Sequence, residues 1–264
     1  MPDLNTIAIV VIVVFAARTL ESVMGFGGAA LGLPILAMLV PDLEIKSTLV
    51  PMLTIGGIVS AIGVVWVGRR EIVWAEFLRI IVWMLPGLPI GFLAAGYASE
   101  AVLRLILGLF VVAVGVFSLA RAKRQAADAN PSGGRLRQWY LRAVVVASGV
   151  VHGIFATGGP VLVVYATRVL HSKGLFRVTL ALVWFVLNVM MVGGWMVDNR
   201  IAPEAWPMAA ITIPFIIISV LVGNRLHHRL PEAAFRKTAY VLLIVAGISL
   251  IHKSLPLLLQ SPTM

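Results

Sequence analysis

The chain contains no cysteine, which excludes disulfides, thiolate metal sites and covalent sulfur relay chemistry. Charge is scarce as well. Only 12% of the residues are Asp, Glu, Lys or Arg, and acids are outnumbered 11 to 21. A soluble domain of 264 residues could not hide the apolar surface of a chain that is 60% hydrophobic, whereas lipid accepts it directly. Catalytic signatures are missing: there is no H-E-x-x-H, G-x-S-x-G, Walker loop or His-rich cluster. The chain is therefore not read as an enzyme, and no metal or cofactor is expected. The first seventeen residues hold Asp3 and no Lys or Arg, so the positive start of a cleavable signal is absent. A net charge of +10 would suggest nucleic acid in a soluble protein. Here no basic stripe alternates with stacking aromatics, and the basic residues suit short loops that stay cytoplasmic.

What is present is a duplication in an all-α polytopic membrane protein of mean hydropathy +1.01. Gly25-Phe26-Gly27-Gly28-Ala29-Ala30-Leu31 and Ala156-Thr157-Gly158-Gly159-Pro160-Val161-Leu162 lie 131 residues apart when their Gly-Gly pairs are superposed. The same offset pairs Thr48-Leu49 with Thr179-Leu180, Ser118-Leu119 with Ser249-Leu250, and Lys46 with Arg177. A sustained offset is the signature of tandem repeats, and duplicated halves of membrane carriers often meet around a midplane site.

Each copy offers three apolar stretches long enough to cross a core of ~30 Å. Repeat 1 (1–119) has helices at 47–67, 77–97 and 101–119, and repeat 2 (140–264) has them at 176–197, 206–223 and 235–251. Between the copies lies a polar, breaker-rich linker (120–139) containing Asn130-Pro131-Ser132-Gly133-Gly134,. Asn5–Val40 is too long for one span, since its 36 residues would extend about 54 Å as a straight helix. It must bend at Gly25, Gly27, Gly28 and Gly32, closed by Pro34. Tyr140–Leu170 bends likewise around Gly153 to Pro160. Each copy thus begins with a broken helical hairpin (5–40 and 140–170), which lipid tolerates only where protein or a wet cavity satisfies the backbone.

Basic residues arbitrate the topology. With both hairpins returning to their starting side and the linker cytoplasmic, fifteen Lys and Arg fall inside and four outside, Arg18 and Arg168 within the hairpins being left uncounted. If each glycine segment crosses once, the split is eleven to eight. The positive-inside rule prefers the first arrangement, which makes the two copies inverted repeats.

A helix broken within the membrane leaves unpaired N–H groups carrying roughly half a positive charge at the start of its second half, and such a terminus binds oxyanions. Gly25, Gly27, Gly28, Gly158 and Gly159, with the Thr157 hydroxyl, are the candidate anion ligands. The competing reading makes the glycines close helix contacts. Arg18 and Glu21 share one helical face, and charges inside a bilayer usually have a partner or a task. Glu21 matches His152 at the repeat offset, so both hairpins carry a titratable group just before the break. That suits proton coupling. The alternative is an Arg18–Glu21 ion pair with His152 as a packing residue. Asn188 and Tyr165 could donate to a ligand or simply join helices. Lys46 and Arg177 could steer anions at the two mouths or snorkel at helix ends. Trp66, Trp74, Trp139, Trp195 and Trp206 read as interfacial anchors.

The paired motifs Gly25-Phe-Gly-Gly-Ala-Ala-Leu-Gly-Leu-Pro34 and Gly153-Ile-Phe-Ala-Thr-Gly-Gly-Pro-Val-Leu-Val-Val-Tyr165, on a four-element plan repeated twice, resemble the TauE/SafE sulfite-exporter family, also called TSUP permeases. The resemblance covers nearly the whole chain. It implies a multi-pass carrier of the bacterial inner membrane for small sulfur-containing anions such as sulfite or organosulfonates, coupled to protons. This chain has Gly-Gly-Ala in one copy and Thr-Gly-Gly-Pro in the other, where the family pattern is a plain Gly-Gly-Gly run. The alternatives are a carrier of a non-sulfur carboxylate, or a channel passing anions or water through the same broken helices. The expected partners are a small oxyanion, protons and the lipid bilayer, with the oligomeric state left open.

Overall fold

The computed structural model describes residues 3–124, 135–227, 241 and 244–256, and among these it contains helix and no strand. The first copy comprises α1 (Leu4–Met24), α2 (Gly28–Leu39), a π-helical turn (Ile45–Leu49) leading into α3 (Val50–Gly68), a 3-10 turn (Arg69–Glu71), α4 (Trp74–Met84), α5 (Gly87–Tyr97) and α6 (Glu100–Arg124). The second comprises α7 (Arg135–Phe155), α8 (Gly159–Val169), α9 (Lys173–Val197) and α10 (Ala205–His227), followed by α11 (Ile244–Pro256). Residues 125–134 of the expected linker lie outside the described residues, as do 235–240 and 242–243 of the last expected span, and with them Arg229, Arg236 and Lys237.

Apolar length decides the spans. Five helices among the described residues are long and apolar enough to cross a membrane: Leu4–Met24, Ile45–Glu71, Glu100–Phe117, Lys173–Val197 and Ala205–His227. The pair α4 and α5 makes a sixth when taken as one span bent by 43°. The sequence reads 77–97 as a single helix, and the bend falls at Pro86, whose ring removes an N–H from the helical ladder and crowds the preceding turn. Outward faces are greasy (Ile12, Leu78, Ile90, Leu93, Leu109 and Ile218 are exposed), while Leu33, Leu36, Leu49, Leu180 and Leu187 are fully buried. The chain is a multi-pass membrane protein.

Each hairpin joins a long helix to a short one. The 12 residues of α2 rise about 18 Å, well short of a ~30 Å core. α2 folds back along α1, so that Gly28 lies against Arg18 and Glu21 while Gly32 lies against Ala17. The break itself spans 25–27 in the first copy and 156–158 in the second. Pro34 and Gly32 sit inside α2, and Gly153 inside α7, so none of the three marks the turn. Both long helices end in the same way. Gly25 and Ala156 adopt left-handed conformations, with φ of 81° and 53°. The N–H of Gly25 donates to the Glu21 carbonyl and that of Ala156 to the His152 carbonyl, at 2.6 and 2.7 Å.

The repeat is visible in the boundaries. α1 and α7 end at Met24 and Phe155, and α2 and α8 begin at Gly28 and Gly159, each pair separated by the same 131 residues. Tertiary contacts follow the offset as well. Thr48 Oγ1 donates to Glu204 Oε1 at 3.2 Å, and the equivalent pair is joined by the Val73 N–H donating to Thr179 Oγ1 at 3.1 Å. Two further packings fix the core. α3 and α9 run antiparallel, with Gly57 against Asn188 and Gly68 against Val178. α5 and α7 interlock through Gly87 and Gly91 on one helix and Gly149 and Gly153 on the other, backbone on backbone. That is the close approach small residues at four-residue spacing permit in lipid.

Candidate functional site

One pocket gathers both breaks. It is lined from the first copy by Arg18, Glu21, Gly27, Ala29 and Ala30 with Leu53 and Thr54 of α3, and from the second by His152, Ala156, Thr157, Gly159, Pro160, Trp184 and Asn188. Trp184 and Asn188 occupy the middle third of α9, so the site lies at mid-depth of a 25-residue spanning helix.

Arg18 is fully buried, at 1% exposure. Its Nη1 donates to Glu21 Oε2 at 2.5 Å and its Nη2 donates to the Leu53 carbonyl, while its Nε has no partner. A guanidinium in an apolar interior needs an ionised or hydrogen-bonded neighbour on each side, and Glu21 and Leu53 supply two. Glycine makes room for it. A Cβ at Gly28 would stand 2.6 Å from Glu21 Oε2 and 2.9 Å from Arg18 Nη1, and one at Gly57 would stand 2.7 Å from Asn188 Nδ2.

Across the pocket, the His152 ring stacks on Trp184 with centroids 5.4 Å apart. Trp184 is fixed in turn by its Nε1–H, which donates to the Gly25 carbonyl at 3.0 Å. Both His152 ring nitrogens, Thr157 Oγ1 and Asn188 Oδ1 are buried without a hydrogen-bond partner, although the Asn188 side chain sits beside the imidazole. Buried polar atoms are nearly always satisfied. Several of them are left open around this one cavity, which makes it the candidate site.

The two half-helices differ as donors. α2 has no side-chain cap at Gly27, and its first backbone bond is from the Leu31 N–H to the Gly27 carbonyl, which leaves the N–H groups of Gly28, Ala29 and Ala30 outside the helical ladder. In α8 the second position is Pro160, which has no N–H to offer.

The residues singled out from the sequence divide as follows. Arg18, Glu21, Gly27, His152, Thr157, Gly159 and Asn188 come together at the pocket. Gly25 backs onto Arg177, Gly28 onto the Arg18–Glu21 pair, and Gly158 onto Ser148, whose hydroxyl donates to the Gly158 carbonyl at 2.8 Å. Tyr165 points elsewhere: its hydroxyl donates to Glu76 Oε2 at 2.8 Å. Arg177 is buried among Asn224 and Ser22, with Nη1 donating to Asn224 Oδ1 at 3.0 Å and Nη2 to Ser22 Oγ at 3.4 Å, whereas Lys46 is exposed. Trp195 is buried on Phe92 and is no interfacial anchor, in contrast to exposed Trp66, Trp74, Trp139 and Trp206. Sequence reasoning passed over Trp184, Thr54 and Leu53. The available signal was Trp184 itself, a tryptophan in mid-span four residues before Asn188 and therefore on the same helical face.

Comparison with known proteins gives a consistent result. Residues 10–250 match the family described as Sulfite exporter TauE/SafE. The chain is 30% identical over 185 residues to the "Probable inner membrane transporter protein TsaS" of Comamonas testosteroni, covering 69% of this chain and 73% of that protein. It is 26% identical over 246 residues to the "Probable sulfite/organosulfonate exporter TauE" of Cupriavidus necator, covering 89% of this chain and 90% of that protein. No solved structure matches.

Proposed function

The chain belongs to the sulfite exporter TauE/SafE family, and on that premise we propose that it is a proton-coupled secondary transporter of small sulfur-containing anions, sulfite or an organosulfonate, in the bacterial inner membrane. The observation that carries this reading is the convergence of unpartnered, buried groups able to donate, from both copies, on one mid-span pocket: Arg18 Nε, the His152 ring nitrogens and Thr157 Oγ1. The anion sits between the two breaks. Arg18 supplies positive charge, Thr157 and the Asn188 amide supply neutral donors, and the open N–H groups of Gly28, Ala29 and Ala30 face the oxyanion with the α2 dipole behind them. Glu21 or His152 carries the coupled proton. The relatives' names, which speak of sulfite, organosulfonate and the inner membrane, favour this substrate class over carboxylates.

Alternating access around this pocket follows from an inverted relation of the two copies. Two helices related by a two-fold operation and lying antiparallel, as α3 and α9 do, require an axis perpendicular to their length. For membrane-spanning helices that axis lies in the membrane plane, which supports inverted repeats; the cytoplasmic side of the 120–139 linker rests on the Lys and Arg distribution alone.

The test is flux. Purified protein in liposomes is expected to accumulate sulfite or methanesulfonate under an imposed proton gradient, saturably, and to stop when a protonophore collapses the gradient. Conduction that neither saturates nor accumulates would identify a channel, and silence toward every small sulfur anion would end the reading.

A further inference from the structure

The first break already holds an anion, and it belongs to the chain. The Glu21 carboxylate lies against the start of α2, so close that a Cβ on Gly28 would stand 2.6 Å from its Oε2, and it is the salt-bridge partner of Arg18. It therefore occupies both features that would attract a negatively charged solute: the buried guanidinium and the positive end of the short helix. We propose that Glu21 is a tethered competitor of the transported anion, which claims Arg18 while ionised and surrenders it on taking up a proton. This deepens the transport reading above and rests on it.

Charge balance gives the argument its force. With Glu21 ionised, Arg18 and Glu21 sum to zero in the pocket. When Glu21 takes a proton to become the carboxylic acid and a monovalent anion enters, Arg18 and that anion again sum to zero. The two unbalanced states are a lone buried cation, and a guanidinium between two anions. Both carry an uncompensated charge out of water, which is strongly disfavoured. Proton and anion are thereby obliged to enter together, and coupling needs no separate relay.

The neighbours of Glu21 leave few other titratable groups. Its own helix contributes Arg18, and α7 contributes His152 across the pocket. α9 contributes Arg177, directed at Ser22 one position further along α1, and α10 contributes His227, whose Nδ1 lies 2.7 Å from the Val23 carbonyl oxygen. The α2 and α3 residues lining the pocket, Ala29, Ala30, Leu53 and Thr54, are uncharged. Among these groups Glu21 alone is the salt-bridge partner of Arg18.

The experiment uses methanesulfonate, whose own charge does not change with pH, titrated calorimetrically into the full-length detergent-purified protein at about pH 6 in two buffers of different ionisation heat. The expected result is uptake of about one proton per sulfonate bound, with affinity falling up to about tenfold per pH unit on the alkaline side. Glu21→Gln is expected to abolish proton uptake and to bind with pH-independent affinity, while His152→Gln, which loses affinity as a pocket-lining variant, still takes up about one proton for each sulfonate it binds,. Binding without proton uptake in the wild-type protein overturns the proposal and leaves the anion reading standing. Uptake that survives Glu21→Gln or vanishes in His152→Gln overturns it too. If Glu21→Gln does not yield folded protein, the wild-type and His152→Gln titrations decide between the same outcomes. No binding of methanesulfonate or sulfite at any pH removes both the proposal and the reading beneath it.

Discussion

Two glycine substitutions separate a site residue from a packing residue. A Cβ added at Gly57 would stand 2.7 Å from Asn188 Nδ2 and 3.3 and 3.5 Å from the two terminal nitrogens of Arg18. The atom in the way is the far end of a side chain, so the Asn188 amide can retreat by about 0.7 Å to ordinary contact while α3 and α9 stay where they are. The cost falls on the pocket. A hydrogen bond from Asn188 to an anion contributes about 1.5–3 kcal/mol, and at ~1.4 kcal/mol per tenfold its loss weakens anion binding by about 10- to 150-fold. Gly91→Ala is different. Its Cβ would run into the backbone carbonyl of Val150, with the Gly153 Cα at 3.0 Å. No rotamer relieves that clash, so α5 and α7 must separate, at a cost of ~1–3 kcal/mol or more. Fluorescence-detected size exclusion and thermal melts measure folding, and sulfonate flux in liposomes measures transport. The expected result is a folded, poorly transporting Gly57→Ala and an unstable Gly91→Ala. Normal transport by Gly57→Ala, or a shared collapse of both variants, would refute the assignment of Asn188 to the pocket.

Other substitutions follow the same logic. Trp184→Phe keeps a ring for His152 but leaves the Gly25 carbonyl unpaired, so the melting temperature should fall by the equivalent of about 1–2 kcal/mol. Thr157→Val removes a hydroxyl with no protein partner. Stability should hardly change, while the half-saturating anion concentration rises about tenfold, as read by flux titration. Ala156→Gly relieves a left-handed alanine at φ 53°. The gain of ~1–2 kcal/mol, less the extra freedom of glycine in the unfolded chain, should raise thermal stability slightly.

The 131-residue offset and the two glycine breaks were legible in the sequence, while Arg18, Glu21, His152 and Asn188 stood out there as polar groups in apolar segments with the choice between a ligand site and packing left open. Periodic apolar runs and a fixed spacing carry that information locally. Three things were not legible. Hydropathy averages over Pro86, so 77–97 reads as one span where the chain bends. A glycine pair does not say which member faces the cavity: Gly27 does, while Gly28 yields its space to Glu21. The partner of Tyr165 is Glu76, 89 residues away in sequence, and nothing local to either residue announces a contact of that range.

His152 lies between Gly149, seated on the backbone of Met84 at the end of α4, and Gly153, seated directly on the α5 backbone. With no side chains between the helices to deform, close-packed backbones pass displacement on with little loss. Tilting α5 about the bend at Pro86 would therefore swing the imidazole and press or release the indole ring beneath it. The greasy outer wall and the pocket lining would thus move as the two arms of one lever.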